Sequence, residues 1–311
     1  MNLALYTTIH PGTRPYLRDW YASVQAQSDQ EFEIWVGLHG MTIPKARNAM
    51  GAERDEINWV SVQDDATPAQ VRIKAWEAIV PMTQAIIMVD ADDVLHPSRV
   101  HQARHQITTC DVAACRVRLV DQGGASIGYR LPPEGYERVS DVLPSHNAFG
   151  LTNTTYRTGL LSSILDGISG SALLDWEMAT WAWLMEADME INDGVQMDYR
   201  QHPESTLALI PPYTTEDIYR ATEAVLSHFD AVVAQLPNKP TALNLGRVHL
   251  LYSAQERVEN FAQRIVEESV HLKKYLKQLN RCDPLPLWWS CVAHPKLEFL
   301  WTDTQSSNGN S

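Results

Sequence analysis

Long apolar runs are missing from this chain. No stretch approaches the roughly 20 apolar residues that a bilayer-spanning helix requires. The first apolar segment, Leu3 to Ile9, is short, interrupted by threonines, and has no positive charge ahead of it before Arg14. That pattern is not a secretory signal, so a cytoplasmic location is expected, with a peripheral seat on the inner face of a membrane as the alternative. Cysteine is scarce: Cys110, Cys115, Cys282 and Cys291 are the four among 311 residues. They lack the paired short spacing of a zinc site and are too few for a disulfide framework, so reduced thiols are expected. Basic residues are outnumbered, 25 Lys and Arg against 38 Asp and Glu, which leaves a formal net charge of −13. A field of that sign repels phosphate backbones and anionic lipid, so nucleic acid is not an expected partner. An anionic ligand would need a local cation or an arginine cluster to hold it.

The chain is long enough for one large α/β domain with an appendage. Leu3 to Ile9 reads as a strand leading into His10-Pro11-Gly12, after which Thr13 looks like an N-cap with Pro15 just inside a helix. Leu17, Trp20, Tyr21 and Val24 recur at helical spacing, and Phe32 to Leu38 reads as a second strand. A third strand, Ile57 to Val62, a helix near Pro68 to Ile79 and an apolar strand from Ala85 to Val89 follow. Short continuous apolar strands alternating with helices imply a mostly parallel, Rossmann-like central sheet covered on both faces. Ligands of such sheets bind outside the carboxyl ends of the strands.

Beyond residue 100 the pattern is mixed: a strand from Asp111 to Val120, a hairpin turn at Gly123-Gly124, and a helix from Asp175 to Met185. After Pro211-Pro212, a helical stripe of Ile218, Ala221, Val225, Phe229, Val232 and Leu236 runs up to Pro237 and Pro240. Ser253 with Glu256 has capping-box spacing ahead of a long helix carrying Val258, Phe261, Ile265, Leu272, Leu276 and Leu279. The expected division is therefore a sheet domain over 1–206, a helical C-terminal extension over 207–300 and a disordered tail over 301–311.

The strongest local signal is Ile86-Ile87-Met88-Val89-Asp90-Ala91-Asp92-Asp93, an apolar strand running into three carboxylates. If the strand continues, side-chain alternation points Asp90 and Asp92 the same way, toward one cation. Mg²⁺ typically takes one or two carboxylates plus phosphate oxygens. A solvated acidic turn would produce the same short motif.

Context separates the two. The first 205 residues resemble glycosyltransferase family 2 in the order of their motifs. These are a helix ending in Gln25-Ala26-Gln27, the strand Phe32-Glu33-Ile34-Trp35-Val36, the Asp-x-Asp strand, the Gly-containing hairpin 123–128, Leu174-Asp175-Trp176-Glu177, and Tyr199-Arg200-Gln201-His202-Pro203-Glu204-Ser205. The resemblance implies a GT-A fold and an inverting transfer of a sugar, of hexosyltransferase type, from a nucleoside-diphosphate donor to a glycan or glycoconjugate acceptor. It implies Mn²⁺ or Mg²⁺ as cofactor, with Asp92 on the metal, Asp90 on the metal or the ribose, and His202 joining the metal site or the diphosphate. It makes Asp175 the general base and puts Thr8, His10 and Arg72 on the nucleotide, with Ile73 where an asparagine is usual. Oligomeric state is left open.

The family's paired base-reading acids are absent after the second strand, where Gly37-Leu38-His39-Gly40 stands instead. His39, or Asp64 and Asp65 after the third strand, are the candidate substitutes. Asp175 would by itself read as a helix cap, and Trp288 and Trp289 as core rather than as an acceptor platform or a membrane-edge foot. A sugar-nucleotidyltransferase is the competing enzyme, because Gly12-Thr13-Arg14 follows the first strand. The other alternative is a catalytically inert binding protein of GT-A type.

Overall fold

The computed structural model describes residues 1–52, 56–62, 65–202, 205, 208–238 and 243–302. Its strands are β1 (Leu3–Ile9), β2 (Phe32–Leu38), β3 (Ile57–Ser61), β4 (Ala85–Met88), β5 (Val94–Leu95), β6 (Val112–Val120), β7 (Ser126–Leu131), β8 (Thr154–Arg157) and β9 (Met189–Arg200). They form one sheet in the order β3-β2-β1-β4-β8-β6-β9-β5, with β7 added beside β6. The first four strands pair in parallel, as the alternating pattern implies. From β8 onward the sheet is mixed: β8 is antiparallel to β4 and β6, whereas β9 runs parallel to β6. The departure from a mostly parallel sheet comes from short strands such as β8, which carry no periodicity of their own.

The helices are α1 (Leu17–Gln25), α2 (Ile43–Met50), α3 (Pro68–Ile79), α4 (Arg99–Gln106), α5 (Val139–Val142), α6 (Thr158–Leu165), α7 (Leu174–Leu184), α8 (Thr215–Gln235), α9 (Leu245–Phe261) and α10 (Ser269–Leu279). All seven residues of β1 are buried, so this strand lies at the centre of the covered sheet. Leu17, Trp20, Tyr21 and Val24 are the buried stripe of α1. Thr13 is not its cap. It closes a 3-10 turn instead, its hydroxyl donating to His10 O at 2.8 Å, and α1 begins only at Leu17. Helix α3 is capped reciprocally by Thr67 and Gln70.

The C-terminal helices share the core of the sheet domain. Ile218, Ala221, Val225, Phe229 and Val232 of α8 are buried, and its His228 stacks on Trp176 of α7 with ring centres 4.7 Å apart. The Ser253 capping box does not form: Ser253 lies inside α9, its hydroxyl donating to His249 O, and Asn244 caps that helix at the Arg247 N–H. A π-turn at Ala262–Val266 then separates α9 from α10, so the apolar stripe is divided between two helices. Phe261, Tyr275 and Trp301 meet edge to face at 5.1–5.7 Å. Trp301 is therefore core rather than the head of a disordered tail, and residues 303–311 lie outside the described ones. No helix among the described residues is long and apolar enough to cross a membrane, and all four cysteines are free.

Candidate active site

Strand β4 ends at Met88, two residues before Asp90, and residues 91–93 form a tight turn closed by Asp93 N donating to Asp90 O at 3.3 Å. A turn, not strand alternation, therefore sets the directions of the acids. Asp90 and Asp92 both line a cavity of about 180 Å³ with Thr8, His10, Arg72 and His202. Asp93 turns inward. It is fully buried, accepts the Arg200 N–H at 2.7 Å and a very short hydrogen bond from the Thr152 hydroxyl. Burial and the two neighbouring acids hold its carboxyl well above the usual carboxylate range. It is a structural anchor tying the turn to the end of β9.

The other two acids are held by different partners. Asp92 Oδ2 is 2.9 Å from His202 Nε2, and the His202 ring stacks on Tyr16 at 5.2 Å. Arg200 lies 4.9 Å from the same Tyr16 ring and donates to Asp92 O at 2.8 Å. Arg72, projecting from α3, reaches Asp90 Oδ1 at 3.5 Å. Asp90 is pushed up to about 6, first by its recessed position and then by the charges of Asp92 and Asp175, against the lowering effect of Arg72. The phenol of Tyr199 rises well above its ordinary value through burial and the same carboxylates. The negative charge here is concentrated, and a cation would relieve it.

Asp175 opens α7, as expected, and lines an adjoining cavity of about 110 Å³ that shares Arg72, Asp90 and Tyr199 with the first. Its Oδ2 accepts from Asn147 Nδ2 at 2.9 Å, while Asn147 Oδ1 is fixed by Phe149 N at 2.9 Å. Burial raises its carboxyl above the usual range. Glu177, two residues further, is fully buried and accepts from Ser169 N at 2.7 Å, Ser169 Oγ at 2.8 Å and Ser171 N at 3.2 Å, so it clamps the preceding loop.

The fold thus gathers Thr8, His10, Arg72, Asp90, Asp92, Asp175 and His202 around two joined cavities. His39 and Asp65 line neither. His39, just past β2, donates its N–H to Ile9 O at the end of β1, Asp65 is exposed, and Asp64 lies outside the described residues. The glycine before Leu38 also has a reason: a Cβ at Gly37 would stand 2.6 Å from the Tyr6 hydroxyl, leaving no room for a side chain there. Asn147 and Tyr16 were not foreseen. Neither belongs to a periodic element, and no spacing in the sequence points to them.

Asp90, Asp92 and His202 do not form a single three-ligand cage; among the described residues no group of three or more His, Cys, Asp or Glu side chains is gathered to hold an ion. The His202 ring is instead a hydrogen-bond partner of Asp92, an arrangement that orients a ligating carboxylate. Two oxygen donors on one cavity wall still fit Mn²⁺ or Mg²⁺ completed by substrate phosphates. The Gly12 loop fits a phosphate cradle poorly. Its N–H groups are turned on the loop itself, Gly12 N to His10 Nδ1 at 3.2 Å and Thr13 N to His10 O at 3.0 Å.

No known family profile and no curated protein matches the chain. Solved structures do. Residues 1–349 of S. aureus TarS superpose with a TM-score of 0.59 at 15% identity, covering 90% of this chain and 78% of that one. The UDP-GlcNAc complex of the same protein gives 0.53 at 15% identity, with 90% and 92% covered. Mannosyltransferase PcManGT from Pyrobaculum calidifontis, in complex with GDP-Man and Mn²⁺, gives 0.54 at 15% identity, with 89% and 78% covered. The chain therefore has the α/β fold of these proteins, a mixed central sheet of GT-A type flanked by helices.

Proposed function

We propose that this protein is a metal-assisted glycosyltransferase of family 2 type. It would move a sugar from a nucleoside-diphosphate donor to a hydroxyl of a glycan or glycoconjugate, with inversion. The observation that carries this reading is the meeting of Asp90, Arg72 and Asp175 at two joined cavities beside the carboxyl ends of β1 and β4. Support comes from the fold, shared with proteins solved with UDP-GlcNAc and with GDP-Man and Mn²⁺.

The residues divide the chemistry between the two cavities. Asp90 and Asp92 would hold the cation, with His202 keeping Asp92 oriented. A bound divalent ion supplies Lewis acidity to the departing diphosphate. Arg72, common to both cavities, presents its guanidinium to the donor's charge, and Thr8 and His10 wall the donor side. Asp175 takes the proton of the acceptor hydroxyl. Burial makes its carboxylate a stronger base than one in water, and Asn147 fixes its orientation. Base on one side and leaving group on the other suit a single displacement, which inverts the anomeric centre. A nucleotidyltransferase reading is disfavoured by the self-satisfied Gly12 loop.

The test is a thermal-shift screen of nucleotide-sugars with and without Mn²⁺. A ligand at 100 times its Kd stabilises by about 2.7 kcal/mol. Stabilisation by none of them in the presence of Mn²⁺ would overturn the proposal.

A further inference from the structure

Trp288 and Trp289 are adjacent but serve different surroundings. Trp289 is 5% exposed and stands edge-on to Phe261 at 5.1 Å. Its φ is +74°, a left-handed conformation that bulky residues rarely adopt. The turn around it is over-determined. Cys291 N donates to Leu287 O at 2.9 Å, Ala293 N to Trp289 O at 2.8 Å, and the buried Tyr275 hydroxyl to Val292 O at 2.7 Å. Strain of this kind persists where the surroundings enforce it, and it gathers at functional positions.

What the strained turn achieves is visible one residue earlier. With Trp289 committed to the core, Trp288 is half-buried and forms an isolated antiparallel bridge with Asn147. Trp288 lines the cavity of about 110 Å³ that holds Asp175, Arg72 and Asp90. Asn147 is the residue that fixes Asp175. One backbone bridge therefore ties the C-terminal segment to the base.

The cavity has two kinds of wall. Asp175, Asn147 and Arg72 offer hydrogen-bonding groups, while Trp288, Leu131 and Leu173 offer apolar surface. A sugar ring has the same division: hydroxyls around its rim and a face of C–H groups that packs on an aromatic ring. A phosphate-rich acceptor would meet two carboxylates against one guanidinium, and an aliphatic chain would leave the polar wall unpaired. A cavity of about 110 Å³ leaves no room for more than one ring.

We propose that Trp288 is the platform on which the terminal sugar ring of the acceptor stacks, so that the C-terminal segment selects a glycoside acceptor. This rests on the glycosyltransferase reading for what the bound ring is used for. The ring's binding can be measured without transfer.

The experiment compares the full-length protein with Trp288→Ala and Trp288→Phe. The probes are methyl β-glucoside, methyl β-galactoside and methyl β-N-acetylglucosaminide. Saturation-transfer NMR without donor reads ring contact, and thermal shift with nucleotide-sugar and Mn²⁺ reads donor binding. At least one glycoside should contact the wild type through its ring C–H protons and bind Trp288→Ala at least tenfold more weakly. Trp288→Phe should recover part of the affinity, and donor binding should be equal in all three. In transfer assays the Ala variant should raise the acceptor KM with little change in kcat. Equal glycoside affinity in Trp288→Ala, or no glycoside binding by a wild type that does bind a nucleotide-sugar, would overturn the platform. Glycoside binding lost in Trp288→Ala, with no nucleotide-sugar bound by any of the three proteins, would confirm the platform and refute the transferase reading.

Discussion

Moving the protein from pH 7 to pH 5 should remove about 2 kcal/mol of stability through one side chain, His228. This histidine of α8 is fully buried, stacked on Trp176 at 4.7 Å and edge-on to Phe229 at 5.1 Å. Its Nε2 lies 3.5 Å from the Thr180 hydroxyl, and its Nδ1 has no hydrogen-bond partner among the described residues. Burial alone pushes it down from 6.5 to about 3. Between those two values the unfolded chain binds a proton that the folded one refuses, so stability falls as pH falls. The slope approaches 1.4 kcal/mol per pH unit, and integration from pH 7 to 5 gives roughly 2 kcal/mol. Above pH 7 the group contributes almost no pH dependence.

Urea unfolding at pH 7, 6 and 5, on the wild type and His228→Phe, isolates this side chain from the carboxylates that also titrate. Phenylalanine keeps an aromatic ring against Trp176 and cannot ionise. Its constant effect on stability cancels, because only the change in the difference between the two proteins matters. That difference should grow by about 2 kcal/mol in favour of the variant between pH 7 and 5. Parallel curves would show that the imidazole is not buried as a neutral group. The consequence reaches the candidate base, since Trp176 follows Asp175 in α7.

Three further outcomes are expected. Asp175→Asn should keep donor binding while transfer falls at least ~10²-fold, the usual loss for a general base; transfer at the wild-type rate, followed by mass spectrometry, would refute the role. Nucleoside-diphosphate binding measured by calorimetry should require Mn²⁺ or Mg²⁺ and disappear in Asp92→Ala, and equal affinity in chelator would refute the metal assignment. Glu177→Gln should lose about 2 kcal/mol in urea unfolding, because its carboxylate accepts three hydrogen bonds in a buried site, yet keep the transfer rate per folded molecule; a large drop in kcat would refute a purely structural role for the clamp.

The parallel half of the sheet was legible chiefly through its central strands β1 and β4, which are buried along their whole length, as only a doubly covered strand tolerates. Helix α3 was legible, running from Pro68 to Ile79, where the pattern puts it. Helix α2 was not, since it is short and only Ala46 and Met50 of its eight residues are buried. The Ser253 box failed for a related reason: capping spacing recurs by chance inside polar helix faces, and Asn244 was the residue whose backbone leaves the helix. Asn147 could not be read at all. Its partners, Asp175 and the bridging Trp288, are both distant in the chain.

The three adjacent carboxylates show why a motif gives residue types before it gives roles. Adjacency suggested one acidic cluster, but the turn sends Asp93 into the core, Asp92 to His202 and Asp90 to Arg72. Only two of the three can then face a ligand. Burial first, and then the neighbouring acids' field, push Asp90 up to about 6 despite a guanidinium beside it, so charge here is costly without a counter-charge. Arg200, the other cation nearby, is spent on structure: its side chain holds Asp92 O and Gln122 O and packs on Tyr16. One remaining arginine cannot balance two carboxylates and a diphosphate as well. An anionic donor would therefore enter this cavity only together with a cation. The metal requirement is thus an expectation of the local charge balance, as well as of the Asp-x-Asp spelling.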